Sequence, residues 1–267
     1  MSCPKMNLTK KQMDTGKSNK TMIIQLLGKS ISIETAAALP GAYFLDYTSY
    51  DPAMCSVSVD SSEIEYEKSK SFQEDIREGR KPIEHTNEYL EFIAIQRKIT
   101  EMFFYYDTLL FHGSVVAVDG EAYLFTAKSG TGKSTHTRLW REMLGDRAVM
   151  VNDDKPFLEI KPEGVTAWGS PWMGKHRLGA NIGVPLKAIC ILERGEENRI
   201  SPIRAQEALP MLMQQSQRPQ KPQNFPKYLE LIDKLAGNVA FYRMTCNMNP
   251  QAAEMAYRAM SGEQTVK

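Results

Sequence analysis

The residues from Tyr123 to Trp140, YLFTAKSGTGKSTHTRLW, run from a short apolar strand through a glycine-bearing loop into a helix. A turn that cradles phosphate needs backbone N–H groups converging on one point, residues free to take left-handed dihedrals, a cation and, for a magnesium ion, a hydroxyl. Gly130 and Gly132 supply the freedom, Lys133 the cation and Ser134 the hydroxyl, with Thr135 as a second hydroxyl. The helix that follows directs the positive end of its dipole at the same place. Ser129, Gly130, Thr131, Gly132, Lys133, Ser134 and Thr135 are therefore the candidate nucleotide-binding residues. Ala127 stands where the pattern G-x-x-x-x-G-K-[ST] has its first glycine. The flanks fit: Ala122 to Thr126 reads as a strand, and Thr137 to Leu144 carries helix formers with Leu139, Trp140 and Met143 at core spacing. The competing reading is a Gly/Ser turn that happens to hold a lysine, and the strand–loop–helix context argues against it.

Outward from this stretch, the 267 residues allow one large domain or a domain with a smaller companion. Hydrophobic residues make up 42% and charged residues 24%, the balance of a soluble globular chain. A formal net charge of +1 gives no drive toward nucleic acid or an anionic membrane, so neither is expected as a partner. Cys3, Cys55, Cys190 and Cys246 are far apart and form no C-x-x-C pair, which reads as reduced thiols in a cytoplasmic protein. No apolar run approaches the ~20 residues that span a bilayer. Residues 1–20 read as a flexible, lysine-rich tail without a signal peptide's apolar region.

From 21 to 84 the sequence reads as a small β-rich part. MIIQLL and SISIE flank Gly28-Lys29, which suits a two-residue turn with glycine first, and YFLDY, MCSVSVD and SEIEYEK read as further short strands. The charged stretch 71–84 reads as a linker, and residues 85–267 as the main domain. That domain opens on a helix capped by Thr86 and running to about Tyr106. Leu109 to Val118 reads as one strand carrying His112, and Asp119-Gly120 as the turn that returns the chain to Tyr123.

Arg147 to Asn152 is another apolar strand, and it ends in Asp153-Asp154. Paired carboxylates at a strand end about twenty positions beyond such a loop suit magnesium organisation, one holding the metal and the other accepting a proton. A surface turn, DDKP, is the alternative. Gly169 to Gly183, with Lys175, His176 and Arg177, has the composition of a loop closing on phosphates, or of an ordinary long connection. Helices are predicted over Arg204 to Gln215, Pro226 to Leu235 and Pro250 to Met260, with a strand over Asn238 to Met244.

LLFHGSVVAVDGEAYLF, then SGTGKST, then VMVNDD resembles the kinase domain of bacterial HPr kinase/phosphorylase, and more distantly the nucleotide site of ATP-dependent phosphoenolpyruvate carboxykinase. The order His-Gly on a strand, hairpin, SGTGKS and Asp-Asp carries the resemblance, over roughly residues 108–195. It implies an α/β fold with a mixed sheet, ATP and Mg²⁺ as cofactors, and transfer of the γ-phosphate to a hydroxyl of a small molecule or to a serine of a peptide or protein. It implies catalytic roles for Asp153, His112, Lys133 and Arg177, with Asp153 as general base, and Ser134 and Asp154 as metal ligands. It also implies a homo-oligomer. GSPWMGKHRLGANIG, after the paired aspartates, looks more like shorter relatives of unassigned substrate. Two alternatives stay open: a non-catalytic ATP-binding regulatory module, and phosphoryl transfer using pyrophosphate or phosphoenolpyruvate.

Overall fold

The computed structural model describes residues 20–35 and 41–262. Most of the expected N-terminal tail, residues 1–19 with Cys3, lies outside the described residues. The chain divides into two compact units, Met1–Ile99 and Thr100–Lys267.

In the first unit, β1 (Lys20–Leu26) and β2 (Lys29–Thr35) form an antiparallel hairpin. Its turn is Leu27-Gly28, with φ of 53° and 68°, not Gly28-Lys29. Two left-handed residues make the turn whose twist matches the strands, so glycine takes its second position. The stretch YFLDY, expected as a strand, is instead helical: α1 (Gly41–Phe44) continues into a 3-10 turn at Leu45–Tyr47. β3 (Cys55–Val59) joins the sheet parallel to β2.

SEIEYEK is also not a strand, and opens α2 (Ser61–Arg77). The Asp60 carboxylate accepts N–H bonds from Ser62 at 2.9 Å and Glu63 at 3.1 Å, an N-cap that overrides the apparent alternation. Of the two residues that made that alternation, Ile64 is buried and Tyr66 is 48% exposed. Residues 71–77, expected in a linker, complete this helix. α3 (Asn87–Phe103) then starts as predicted, with the Tyr89 N–H donating to Thr86 Oγ1 at 3.3 Å. Arg97 of α3 pairs with Glu63 and Glu67 of α2, and its guanidinium lies 4.9 Å from the Tyr66 ring centroid.

The second unit is a mixed nine-stranded sheet between helices. β4 (Thr108–Leu110) and β5 (Ser114–Val118) are separate strands, so the single strand expected over Leu109 to Val118 is broken at Phe111-His112-Gly113. The backbone leaves the ladder there to serve other segments. Phe111 N–H donates to Pro156 O at 3.0 Å, His112 N–H to Gln215 O at 2.7 Å and Gly113 N–H to Asp154 O at 3.0 Å. Gly113 sits in a close approach, where a β-carbon would lie 3.1 Å from Phe125 O and 3.0 Å from Leu124 Cδ2.

β5 pairs antiparallel with β6 (Glu121–Thr126) through the predicted turn, where Asp119 has φ 51° and Gly120 φ 85°. α4 (Lys133–Leu144) follows the glycine loop, and β7 (Ala148–Asn152) pairs with the other edge of β5. β8 (Phe157–Lys161) and β9 (Gly164–Trp168) form the expected hairpin. β10 (Gly183–Arg194) is the longest strand: its first residues pair antiparallel with β9, and its later ones run parallel to β6. β11 (Arg199–Ile203), which alternation did not reveal, pairs with β12 (Ala240–Cys246), and β12 runs parallel to β10. The predicted helices appear as α5 (Ala205–Gln215), α6 (Phe225–Asn238) and α7 (Gln251–Ser261).

Alternate strand residues divide between two faces. Leu124, Val115, Ile189 and Ile191 pack with Leu212, Tyr228 and Leu231 from α5 and α6. Tyr123, Phe125, Val116 and Cys190 pack with Leu139 and Trp140 of α4 and with Ala253 and Tyr257 of α7. Trp140 is fully buried, its ring centroid 5.1 Å from Tyr123 and 5.4 Å from Tyr257. Met143, expected in the core, is 38% exposed. The buried stripe of α4 instead uses Lys133, His136 and Thr137. Among the described residues no helix is long and apolar enough to cross a membrane.

Candidate functional site

β6 delivers the chain into Ala127, which is fully buried and keeps a negative φ, so alanine fits where the loop pattern has glycine. Its carbonyl accepts a 3.2 Å hydrogen bond from Lys133 Nζ. Gly130 and Gly132 have φ of 76° and 119°, which only glycine adopts without strain. The loop closes on Lys128 O, which accepts from Thr131 N at 3.3 Å and from Thr131 Oγ1 at 2.9 Å. Arg194, at the end of β10, donates to the carbonyls of Gly130 and Thr131 and straps the loop to the sheet. α4 begins on Gly132, which offers no capping side chain, so its first N–H groups point into the loop without a side-chain acceptor. Ser129, Gly130 and Ser134 are exposed, whereas Thr131, Gly132 and Thr135 are half-buried.

At the end of β7 the bend is made by Asn152, whose Oδ1 accepts from the backbone N–H of Asp154 at 2.8 Å and of Lys155 at 2.7 Å. Asn152 Nδ2 in turn donates to Ser170 Oγ at 3.1 Å, and Ser170 Oγ donates to Lys155 O at 2.6 Å. Because Asn152 does the turn's work, both aspartate side chains are released from it. Asp153 is buried and its Oδ1 accepts from Ser114 Oγ at 2.7 Å. That bond uses the Ser114 proton, so Thr137 Oγ1, 2.9 Å away, donates to Ser114. Asp153 Oδ2 faces Gly174, where a β-carbon would sit 3.6 Å from it.

Asp154 Oδ1 lies 3.3 Å from His112 Nε2. Burial raises the Asp154 carboxyl above the usual range, while the Lys155 and Lys133 charges pull the other way. Burial, reinforced by the Lys155 and Lys133 charges, pushes the His112 imidazole down to about 3. The ring is neutral at physiological pH, so this contact is not an ion pair there. The Gln215 side chain hydrogen-bonds the same ring. Burial also lowers the Lys133 ammonium, opposed by Asp154 and Asp153, and lowers Lys155, opposed by Asp154. His112, Lys133, Asp153 and Asp154 thus lie within electrostatic reach of one another. Arg177 is exposed, with φ 49°, in a turn closed by its N–H on Gly174 O at 2.8 Å.

Sequence reasoning did not single out Ser114, Thr137, Asn152, Lys155, Arg194 or Gln215. Lys155 stands in plain view beside the paired aspartates, but the sequence offers it a place only in the alternative surface turn, DDKP. Gln215 lies 103 positions from His112, and nothing local marks it. Among the described residues, no group of three or more His, Cys, Asp or Glu is arranged to hold a metal ion.

Fold and site together define a mixed α/β protein with a lysine, two carboxylates and an imidazole gathered at the ends of neighbouring strands. The chain belongs to the SynChlorMet cassette protein ScmC family, whose model matches residues 80–252. No curated protein matches it. Among solved structures it is similar to the Hpr(Ser) kinase/phosphatase from Coxiella burnetii, at 11% identity and a TM-score of 0.32, over 58% of this chain and 99% of that one.

Proposed function

We propose that the protein is an ATP-dependent kinase that transfers the γ-phosphate to a hydroxyl of a small molecule or to a serine of a peptide or protein. The observation that carries this reading is that Lys133, from a loop with two left-handed glycines, stands within electrostatic reach of Asp153 and Asp154 at the end of β7. Loop N–H groups and the Lys133 ammonium bind phosphate oxygens. Asp153 is held through Oδ1 by Ser114, which leaves Oδ2 to accept the proton of an acceptor hydroxyl.

Ser134 and Asp154 would hold magnesium, which supplies neutralisation of phosphate charge when bound. The donor set fits such an ion. Asp154 is a half-buried carboxylate that makes no ion pair with Lys133 or Lys155, and magnesium is commonly held by one or two carboxylates together with phosphate oxygens and water. His112, neutral at physiological pH, lies beside Asp154, with Nε2 3.3 Å from Oδ1. Arg177 would approach the phosphates from the exposed turn beyond Gly174. The expected setting is the cytoplasm, where ATP is available.

The test is phosphate transfer from γ-labelled ATP with magnesium, against hydroxyl-bearing metabolites, free serine and serine peptides, with Lys133→Ala as the blank. Labelled product absent from the blank supports the kinase. Binding of ATP without transfer to any acceptor turns the reading toward a regulatory module.

A further inference from the structure

Between Trp168 and Val184 the chain carries Gly169, Gly174, Gly179 and Gly183. Three of them stand where nothing larger fits. A β-carbon would lie 1.8 Å from Ala180 O at Gly169, 2.9 Å from Met173 Sδ at Gly179 and 2.6 Å from Trp168 Cε2 at Gly183. Gly174 is the exception. Its φ lies outside the left-handed region, and a β-carbon on it would meet only ordinary contacts: Asp153 O at 3.5 Å, Asp153 Oδ2 at 3.6 Å and Asp154 Cβ at 3.7 Å. Neither the backbone nor the packing calls for glycine here, yet the space it leaves open lies directly against the paired aspartates.

That space belongs to a segment held at both ends. Gly169 N–H donates to Ile182 O at 3.0 Å, and Ala180 N–H donates to Val151 O of β7 at 3.2 Å. Between them Trp172 is buried, its ring centroid 6.1 Å from that of Phe157, and Gly174 O accepts the Arg177 N–H at 2.8 Å. Asp153 Oδ1 is engaged by Ser114 Oγ at 2.7 Å, so the oxygen beside Gly174 is the one left to receive a proton.

We propose that Gly174 is a specificity-determining residue: its missing side chain leaves the place, against Asp153 Oδ2, that the carbon bearing the acceptor hydroxyl occupies. The inference rests on the kinase reading above. A hydroxyl donating to a carboxylate at the usual O···O separation holds its own carbon about 3.5 Å from the accepting oxygen. A β-carbon on Gly174 would stand at 3.6 Å from Oδ2, so a methyl group there competes with the acceptor's carbon and not with water, which brings none. In the transfer the acceptor oxygen bonds to the γ-phosphorus and its proton passes to Oδ2. The bond from that phosphorus to the bridging oxygen breaks, and its electron pair leaves on ADP.

The experiment follows γ-labelled ATP with magnesium in dilute ethanol, so that the full chain divides the phosphoryl group between water and a simple alcohol. Gly174→Ala is expected to lower the ratio of ethyl phosphate to inorganic phosphate by about tenfold or more relative to wild type, the discrimination of one methyl group in a fitted pocket. A purely structural role would slow both products together and leave the ratio as it is. A second variant, Gly174→Ser, puts a hydroxyl on a carbon at the acceptor's place. It is expected to label itself on the new side chain, as located by peptide mass, with the label lost when Lys133→Ala is added. An unchanged ratio, no ethyl phosphate from the wild type, or an unlabelled Gly174→Ser overturns the assignment and leaves the kinase reading standing. Failure of the wild type to pass phosphate from ATP to water, ethanol or any acceptor of the earlier panel overturns both.

Discussion

The Ser114 hydroxyl donates a 2.7 Å hydrogen bond to Asp153 Oδ1 from the first residue of β5, and both side chains are buried. Ser114→Ala leaves a buried carboxylate oxygen without its donor, which costs about 1–3 kcal/mol of stability. It also frees Asp153 to rotate. In the transfer assay kcat is expected to fall by about 10–100-fold, the usual effect of losing an orienting hydrogen bond, with the nucleotide KM little changed. A fall in KM-limited binding with unchanged kcat would contradict the positioning role.

Arg194 reaches the loop from the end of β10 and holds two of its carbonyls while remaining exposed itself. Arg194→Gln should leave the fold intact and loosen the loop. Binding of pyrophosphate, measured by calorimetry, is expected to weaken by up to about fivefold, the modest effect of an exposed charged contact.

Gly132 sits at φ 119° immediately before α4. No neighbouring atom would obstruct a β-carbon there, so the penalty for Gly132→Ala is purely conformational, about 1–2 kcal/mol. Because the strain falls on the residue that turns the loop into the helix, phosphate affinity should drop more than thermal stability does. The two are separable by melting curves with and without pyrophosphate.

His136 is buried against Phe125 and accepts the Trp140 indole N–H at 3.2 Å, and burial pushes its pKa down to about 4. The folded state therefore binds the neutral ring, and the unfolded chain takes up the proton first. Stability associated with this group is complete above about pH 6.5 and is lost as pH falls toward 4, by roughly 3 kcal/mol. His136→Gln keeps an acceptor for Trp140 and should flatten that part of the stability–pH curve, as read by urea unfolding at several pH values.

In the first unit, Glu67 is 3% exposed and is met by the Arg97 guanidinium. Arg97→Ala strands that carboxylate and should cost about 3–5 kcal/mol. Replacing both by apolar residues of similar volume should recover most of the loss, which denaturant titration of the single and double variants would show.

The main sheet and its helices were legible wherever local chemistry was strong: the Asp119-Gly120 turn, the glycine loop and the Thr86 cap all occur as written in the sequence. Legibility failed where a distant partner or a cap decided the outcome. SEIEYEK alternates like a strand, but Asp60 caps it as a helix and Arg97, thirty positions or more away, claims Glu63 and Glu67. LLFHGSVVAV reads as one strand because its apolar character is continuous. It breaks because Gln215, Pro156 and Asp154 take its backbone bonds, and none of those is near in sequence. Of the site, the residues supplied by the loop and the β7 end could be found by pattern. Those that orient them, Ser114 and Gln215, could not, because a serine and a glutamine carry no spacing signal.

The break at Phe111-His112-Gly113 belongs to no strand, yet each of its three N–H groups is given to a different remote carbonyl. No small fluctuation releases them together, since Pro156, Gln215 and Asp154 would all have to withdraw. In an amide-exchange map these irregular residues should therefore behave like the deepest sheet, opening only when the whole unit unfolds. A segment outside every named strand would then be a gauge of global stability, and His112 would keep its place for as long as the unit stays folded.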